Sequence, residues 1–369
     1  MRVLLCVPAY APADDYGGPV TKVRLLARGL ANRGVAVEIL TADFGFGRTR
    51  VPTGRRLVDG IPVTYLRRLV ARGHLSVSVG VKEYMRGQQF DVVHSFGLRD
   101  GMVSETTRRA LAAGIPVVVE PMGMTPARVR SFRLKGVFDR ALGDRLTGRA
   151  VVTIATSKLE DEQLRVAGFP NVQIRYNPVE FPPVSRPDDA PRSYDICYVG
   201  RLHRVKRVPD ILAAVEALPA KTAVIAGPDE DGSGADLRAE AVARGITDRV
   251  TFRGWVDPAE RLRLLWASRC FALPSITENF GSAAAEAMAA GVPVVVTREC
   301  GIAPLVEMSG AGAVVDVGPA GLTDGVTKVL QLDPHTAGAA ARLAVVPLAP
   351  DSVAAAQRVI YESAIAGGR

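Results

Sequence analysis

Apolar runs of strand length alternate with helical stripes from one end of this chain to the other, and that alternation leaves little choice of architecture. Arg2–Val7 is a first apolar run; Val20, Val23, Leu26 and Leu30 follow at helical spacing, and Gly34 closes that helix. Val35–Thr41 is the next strand, and Asp91–His94, Val117–Glu120 and Val151–Ala155 repeat the pattern. Strands that are apolar throughout need cover on both faces, which crossover helices supply, so the pattern predicts an α/β fold with parallel sheets. It then restarts. Tyr194–Gly200 is a strand, and Val208, Ile211, Leu212, Val215 and Leu218 form a helix stripe. Pro209 falls in its first turn, where a missing N–H costs nothing. Strands follow at Thr222–Ala226, Val250–Phe252, Arg269–Leu273 and Val292–Thr297.

Between the two series, residues 177–192 carry Pro178, Pro182, Pro183, Pro187 and Pro191, a density that rules out a regular element and marks a linker. A chain of 369 residues also exceeds what one core covers. The expected division is an N-terminal domain at 1–182, a C-terminal domain at 183–350, and a C-terminal helix at 351–369 that is free to cross back to the first domain.

The charge is uneven. Residues 1–182 hold 27 Lys and Arg against 16 Asp and Glu, a balance of +11, whereas residues 183–369 hold 19 against 22, or −3. A strongly basic half points to an anionic partner or to simple solubility. No aromatic stacking motif or DNA-reading module accompanies it, so nucleic acid is not expected. The basic stretch 128–149, interleaved with Phe132, Leu134, Val137, Phe138, Leu142 and Leu146, reads as an amphipathic helix suited to peripheral contact with an anionic membrane. The longest apolar runs have strand length, and the first one lacks the features of a signal peptide, so a cytoplasmic location is expected, with the inner membrane face open to it. Cys6, Cys197, Cys270 and Cys300 form no Cys-x-x-Cys pair, and reduced buried thiols are expected, with neither disulfides nor zinc.

Chemistry concentrates in the second half. In Pro274-Ser-Ile-Thr-Glu278-Asn279-Phe280-Gly281-Ser282, a strand ends and a polar loop leads into a helix that closes at Gly291. Free amides at that helix start favour a phosphate, Gly281 allows close backbone approach, and Glu286 lies about one turn inside. One carboxylate can reach the reacting end of a ligand while the other takes ribose hydroxyls. In Val199-Gly200-Arg201-Leu202-His203-Arg-Val-Lys206, two cations follow a strand end, as a diphosphate requires. Gly17 and Gly18 precede the first helix and permit backbone contact with a ligand at the strand ends.

These strings, the spacing of Glu278 and Glu286 with seven residues between, and the Phe252-Arg-Gly254-Trp255-Val256 segment resemble the retaining glycosyltransferases of the group 1 (GT4) family across essentially the whole chain. The resemblance implies a GT-B fold: two Rossmann-like doubly wound domains facing a central cleft. It implies a hexosyl or N-acetylhexosaminyl transfer from a nucleoside-diphosphate sugar, with UDP favoured and no cofactor or metal. Arg201 and Lys206 would hold the diphosphate, Glu278 the sugar and Glu286 the ribose. Gly17, Gly18, Gly200, Gly254, Trp255, Asn279, Phe280 and Gly281 would complete the donor site, with Trp255 stacked on the base. The acceptor would be a small molecule or a lipid-linked one, with an anionic group suiting the basic half, in cell-surface polysaccharide, glycolipid or natural-product synthesis.

The acceptor side departs from the pattern. Many relatives carry a histidine near the end of the strand that here reads Val117-Val-Val-Glu120-Pro-Met122-Gly123-Met124, and none is present. Glu120, or the Met122–Gly123 backbone, is expected to face the acceptor, and His94, read as ending its strand, is the remaining histidine of interest. Asp229-Glu230-Asp231 mimics a D-x-D metal site but sits in a Gly/Asp loop and reads as solvated. A GT-B epimerase of nucleotide sugars or a non-catalytic nucleotide-binding protein remains an alternative. A dinucleotide oxidoreductase lacks its Gly-x-Gly-x-x-Gly after the first strand.

Overall fold

The computed structural model describes residues 1–13, 17–44, 50–72, 75–97, 99–123, 149–184, 186–187, 191–229 and 232–367. The basic stretch 128–149 lies outside them except for Arg149. The chain forms two compact units, Met1–Pro178 with Pro350–Arg369, and Val179–Ala349. The division falls inside the proline-rich stretch, ahead of the 182/183 boundary read from the prolines, and the last helix is part of the first unit.

In the first unit, β1 (Arg2–Cys6) leads through α1 (Gly18–Asn32) to β2 (Ala36–Ala42). β3 (Gly54–Val58) and β4 (Ile61–Leu66) pair antiparallel, and β5 (Arg68–Arg72) and β6 (Leu75–Ser78) form a separate two-stranded sheet. After α2 (Val81–Met85), β7 (Val92–Phe96), α3 (Gly101–Ala112), β8 (Val117–Glu120), β9 (Val152–Ala155), α4 (Lys158–Val166) and β10 (Val172–Ile174) complete the unit's main run. The sheet order is β10-β9-β8-β7-β1-β2-β4-β3, parallel except for the β3–β4 edge. Local signals account for the helix starts. Asp100 accepts hydrogen bonds from the Met102 and Val103 amides at the head of α3. Ser157 caps α4 by accepting from the Glu160 amide at 3.1 Å, while the Glu160 carboxylate reaches back one residue further, to the Thr156 amide.

The second unit runs β11 (Tyr194–Val199), α5 (Val208–Ala217), β12 (Ala223–Ala226), α6 (Ser233–Ala243), β13 (Val250–Gly254), α7 (Pro258–Trp266), β14 (Ser268–Leu273), α8 (Ser282–Ala289) and β15 (Val294–Thr297). It ends with α9 (Ala303–Ser309), β16 (Gly312–Val315), α10 (Pro319–Leu330) and α11 (Pro334–Ala344). Its sheet is wholly parallel in the order β13-β12-β11-β14-β15-β16. The chain winds outward from β11 and then returns to start again at β14. The loops after β11 and after β14 therefore leave the sheet in opposite directions and open a crevice at the carboxyl ends of those strands. The first unit has the same reversal between β1 and β7.

The last helix, α12 (Pro350–Gly367), returns to the first unit and packs on α1. Val353, Ala354, Ile360, Tyr361 and Ala364 join Val23, Leu26, Ala27, Leu30 and the β1 side chains Val3 and Leu5 in one apolar cluster. The crossing is close because α1 carries a glycine there: a Cβ on Gly29 would lie 2.8 Å from the Pro350 carbonyl oxygen and 2.9 Å from the Ala354 Cβ. No helix among the described residues is long and apolar enough to cross a membrane. All four cysteines are buried free thiols whose pKa burial pushes up, which makes them poor nucleophiles.

Gly29→Ala sets two effects against each other. Helix propensity favours alanine by about 1 kcal/mol, while overpacking a closed contact costs about 1–3 kcal/mol. Because one neighbour is backbone, overpacking should win. Gly29→Ala is expected to lower the urea midpoint; a higher midpoint would mean that α12 is held loosely enough to shift.

Candidate active site

The crevice of the second unit gathers the cations and carboxylates singled out in the sequence. After β11 the chain passes through Gly200 and the exposed Arg201, then forms a short 3-10 turn at Arg204–Lys206. His203 caps that turn, its Nδ1 accepting from the Val205 amide at 3.2 Å. Lys206 Nζ pairs with Glu278 Oε2 from the loop after β14, and each side chain is about one-fifth exposed (19% for both). The two loops are also stitched by backbone, the Ile276 amide donating to the Val205 carbonyl at 2.9 Å. Glu278 is held at both its amide and its carbonyl, which bond Glu299 and Gly301 at 2.9 Å each. Its carboxylate is thus fixed at the root and matched by an ammonium, with surface left for a ligand.

α8 begins just beyond. Gly281 sits at its N-cap with φ 97°, and no side chain caps the helix, so its first amides point outward from a position only glycine adopts without strain. Phe280 is buried beneath this turn, and Asn279 is half-buried. Glu286, inside the helix, lies 3.0 Å from Arg261 Nη1 of α7 and keeps 20% of its side chain exposed. Burial pushes its pKa up, Arg261 opposes that, and Glu180 adds to it. Gly254 ends β13, and the neighbouring Trp255 is 55% exposed. Asp229 accepts from the Gly234 amide at 3.1 Å, a loop role; Glu230 and Asp231 lie outside the described residues.

One element of this edge was not visible in the sequence. Gly227 follows β12 with φ 143°, and a Cβ there would lie 1.8 Å from the Gly200 carbonyl oxygen. Its amide donates to the Gly254 carbonyl at 2.6 Å, and the Gly200 amide donates to Ala226 at 3.0 Å. Gly200, Gly227 and Gly254 thus end three adjacent strands, β11, β12 and β13, with bare backbone. The signal was an Ala-Gly pair closing an apolar run, which a plain turn also gives.

The first unit corrects the acceptor-side expectations. Glu120 does not face outward. It is completely buried, paired with Lys22 of α1 and Arg175 beyond β10, with His94 Nε2 3.7 Å away. Burial favours its neutral form, yet Arg175 and Lys22 prevail and hold the carboxyl below its usual range. His94 does not end its strand but sits inside β7, fully buried and stacked on Phe96 at 4.0 Å. Its Nδ1 lies 2.7 Å from the Tyr361 hydroxyl of α12. Arg175 Nε donates to Gln357 of the same helix at 2.9 Å. The physical cause is cover: α1 and α12 close over this end of β7 and β8, which turns a strand-end carboxylate into an internal counter-ion. The Met122–Gly123 turn retains surface, with both residues at positive φ, 56° and 75°. The Gly123 amide donates to the buried Glu160 at 2.7 Å. Gly17 caps α1 at φ 79°, and Gly18 opens the helix. Tyr16 and Met124 lie outside the described residues.

Both halves of the chain match families of known proteins. Residues 186–343 match the family model described as glycosyl transferases group 1, and residues 17–180 match the glycosyl transferase 4-like domain. A D-inositol 3-phosphate glycosyltransferase of Acidothermus cellulolyticus is 30% identical over 348 residues, which cover 82% of this chain and 75% of that protein. A GDP-mannose:cellobiosyl-diphosphopolyprenol alpha-mannosyltransferase of Komagataeibacter xylinus is 26% identical, over 86% of this chain and 80% of its own. Among solved structures, a sucrose-phosphate synthase from Thermosynechococcus elongatus superposes with a TM-score of 0.79 at 20% identity, covering 99% of each chain.

The buried cluster has a pH signature. Burial, with Arg175 and Lys22 adding to it and Glu120 opposing, pushes the His94 pKa down from 6.5 to about 3. Below pH 6.5 the unfolded chain binds a proton that the fold refuses, so stability falls on acidification, by about 1.4 kcal/mol per pH unit between about pH 6 and 4. His94→Gln should flatten the dependence of urea unfolding on pH by about one proton in that window. An unchanged slope would mean that the imidazole is charged inside the fold.

Proposed function

The chain belongs to the group 1 (GT4) glycosyltransferases, and from that premise we propose that it transfers a hexosyl or N-acetylhexosaminyl group, with retention, from a nucleoside-diphosphate sugar to the hydroxyl of a phosphorylated acceptor. The observation that carries this reading is the Lys206–Glu278 pair, set beside Arg201 where the strand order of the second unit reverses.

The chemistry follows from charge. As the bond from the sugar C1 to the phosphate oxygen breaks, negative charge collects on the diphosphate, and Arg201 and Lys206 neutralise it. Two fixed cations do the work that a divalent metal does in other transferases, so none is required. Lys206 has three donors and can hold Glu278 and a phosphate oxygen together. Glu278 aligns the sugar hydroxyls. The acceptor oxygen attacks C1 on the face that the diphosphate leaves, and its proton passes to the departing phosphate oxygen. The products are a glycoside of unchanged anomeric configuration and a nucleoside diphosphate. Glu286 accepts from the ribose hydroxyls, the bare strand ends at Gly200 and Gly254 admit the diphosphate and base, and Trp255 offers a stacking face. Asn279, Phe280 and Gly281 shape the turn that presents the α8 amides. On the acceptor side, Met122 and Gly123 supply the accessible backbone. The +11 balance of residues 1–182 suits an anionic acceptor. The relatives' names, an inositol phosphate and a diphosphopolyprenol, lie in the same chemical class. A lipid-linked member of that class would be served by peripheral membrane contact through 128–149. UDP is the first donor to test, on the strength of the family resemblance.

A thermal-shift panel of UDP, GDP, ADP, TDP and NAD tests the donor. A diphosphate at 100 times its dissociation constant stabilises the fold by about 2.7 kcal/mol. One nucleoside diphosphate should raise the midpoint and NAD should not, and Lys206→Ala should cut turnover by about 100-fold or more. A shift with NAD alone, or wild-type turnover without Lys206, would sink the assignment. Glu286 adds a pH test. Its carboxyl accepts ribose hydroxyls most strongly when ionised, and its pKa is raised. Nucleotide affinity should therefore fall as pH drops through a midpoint above the usual carboxylate range. Glu286→Gln should weaken binding and remove that limb; a limb that persists in the variant belongs to another group.

A further inference from the structure

The turn that carries Arg201 is held from both sides. Above β11, the Gly200 peptide is pressed against the bare Cα of Gly227, where any Cβ would collide with the Gly200 carbonyl. On the other side lies Tyr198, completely buried, whose hydroxyl donates to the Arg201 carbonyl at 2.8 Å. A Cβ on Gly200 would meet that hydroxyl at 2.9 Å, so the phenol fills the space directly beside the turn. Beyond Arg201, the Leu202 amide donates to the Pro228 carbonyl at 2.8 Å and pins the far end to the loop after β12. The Arg201 peptide is therefore anchored at three points, and the Tyr198 hydroxyl is the one supplied by a side chain.

We propose that Tyr198 is a positioning residue: its buried hydroxyl, working against the bare backbone of Gly227, fixes the Gly200–Arg201 turn and so sets where the Arg201 guanidinium meets the donor diphosphate. This rests on the reading of Arg201 given under Proposed function. The chemistry suits a permanent anchor. Burial pushes the phenol pKa up, the nearby Glu278 carboxylate adds to it and Arg201 opposes, so the group is a neutral donor around neutral pH. A phenol on a strand is rigid, with two side-chain torsions, both constrained by packing. Without the hydroxyl, the Arg201 carbonyl loses this bond and the turn is free to relax toward water. Tyr198 touches no substrate; its influence passes through the Arg201 backbone.

A double-mutant cycle tests this with UDP and GDP, each titrated by calorimetry against the full-length protein. Arg201→Ala should weaken binding of whichever diphosphate the wild type takes. Tyr198→Phe, which removes only the hydroxyl, should weaken it about 10-fold in the wild-type background. In the Arg201→Ala background, Tyr198→Phe should change the affinity by less than about 2-fold, because the group it positions is gone. Equal losses in both backgrounds would show that Tyr198 acts on binding without Arg201, and no loss in either would leave it a role in stability alone; either result overturns the proposal. If Arg201→Ala itself leaves binding intact, the donor-site reading fails first and this proposal falls with it. Should the phenylalanine variant not fold, Tyr198→Met, which also lacks the hydroxyl and packs flexibly, enters the same cycle.

Discussion

A parallel sheet sends every strand toward the same edge, and the chain must leave each strand there and climb back through a helix. Where the strand order reverses, two neighbouring strands send their connections to opposite faces, and a crevice opens that no packing rearrangement can close. The chemistry assigned to the second unit depends on that constraint. β11 and β14 are neighbours, so Lys206 and Glu278, 72 residues apart in the chain, meet as an ion pair. Glycines end β11, β12 and β13 along the same edge and leave backbone where side chains would block a ligand. The α8 amides emerge there uncapped. Each feature is modest alone; the topology places them together.

The same constraint explains why the positions of the second unit's candidate residues could be read from sequence and those of the first unit could not. Strand-to-loop transitions at Gly200 and Pro274 are punctuated by glycine, proline and charge, and residues just past a strand end in such a sheet fall at its carboxyl edge. That logic singled out Arg201, Lys206, Glu278 and Glu286, of which the structure brings Lys206 and Glu278 together beyond the ends of β11 and β14. It also placed Glu120 at an exposed strand end, and there it failed, because whether an edge is open depends on what packs over it. The cover is α12, more than 200 residues away, whose Gln357 and Tyr361 reach Arg175 and His94. Nothing local to Val117–Glu120 announces that helix. The short strands β3 to β6, β10 and β16 were not legible because their runs are brief or polar. Gly227 escaped because its requirement for a bare Cα comes from Gly200 on the next strand, a contact that periodicity does not encode.

The charges of the first unit show how a carboxylate can be buried at tolerable cost. Glu120 has no exposed surface, and an isolated ion there would be strongly disfavoured. Lys22 from α1 and Arg175 from beyond β10 both reach it, while His94 stays neutral beside it. With one carboxylate, two cations and a neutral imidazole, the group carries a net positive charge inside the fold. Such clusters contribute less stability than apolar packing of equal volume. What this one does supply is specification: α12 can satisfy Arg175 and His94 only in one register, with Gln357 and Tyr361 facing them. A helix that follows the second unit through a short turn at Val346–Leu348 is thereby tied to one place on α1, where Gly29 lets it approach closely.

Four glutamates separate by how completely the protein satisfies them. Glu120 and Glu160 have no exposed surface and are saturated, the first by two cations and the second by the Gly123 and Thr156 amides and the Thr156 hydroxyl. Their bonding capacity is spent on the fold. Glu278 and Glu286 are each met by one cation and keep about a fifth of their surface, at 19% and 20%. A carboxylate has about four lone-pair positions, so a single cationic partner leaves several unused, in a setting where burial strengthens whatever fills them. Partial satisfaction at a half-buried position is costly to a free protein, and a ligand with paired hydroxyls relieves it. By that measure Glu278 and Glu286 keep capacity for the sugar and ribose contacts proposed for them, and Glu120 belongs with the scaffold, although its place at the end of an apolar strand made it a candidate like the other two.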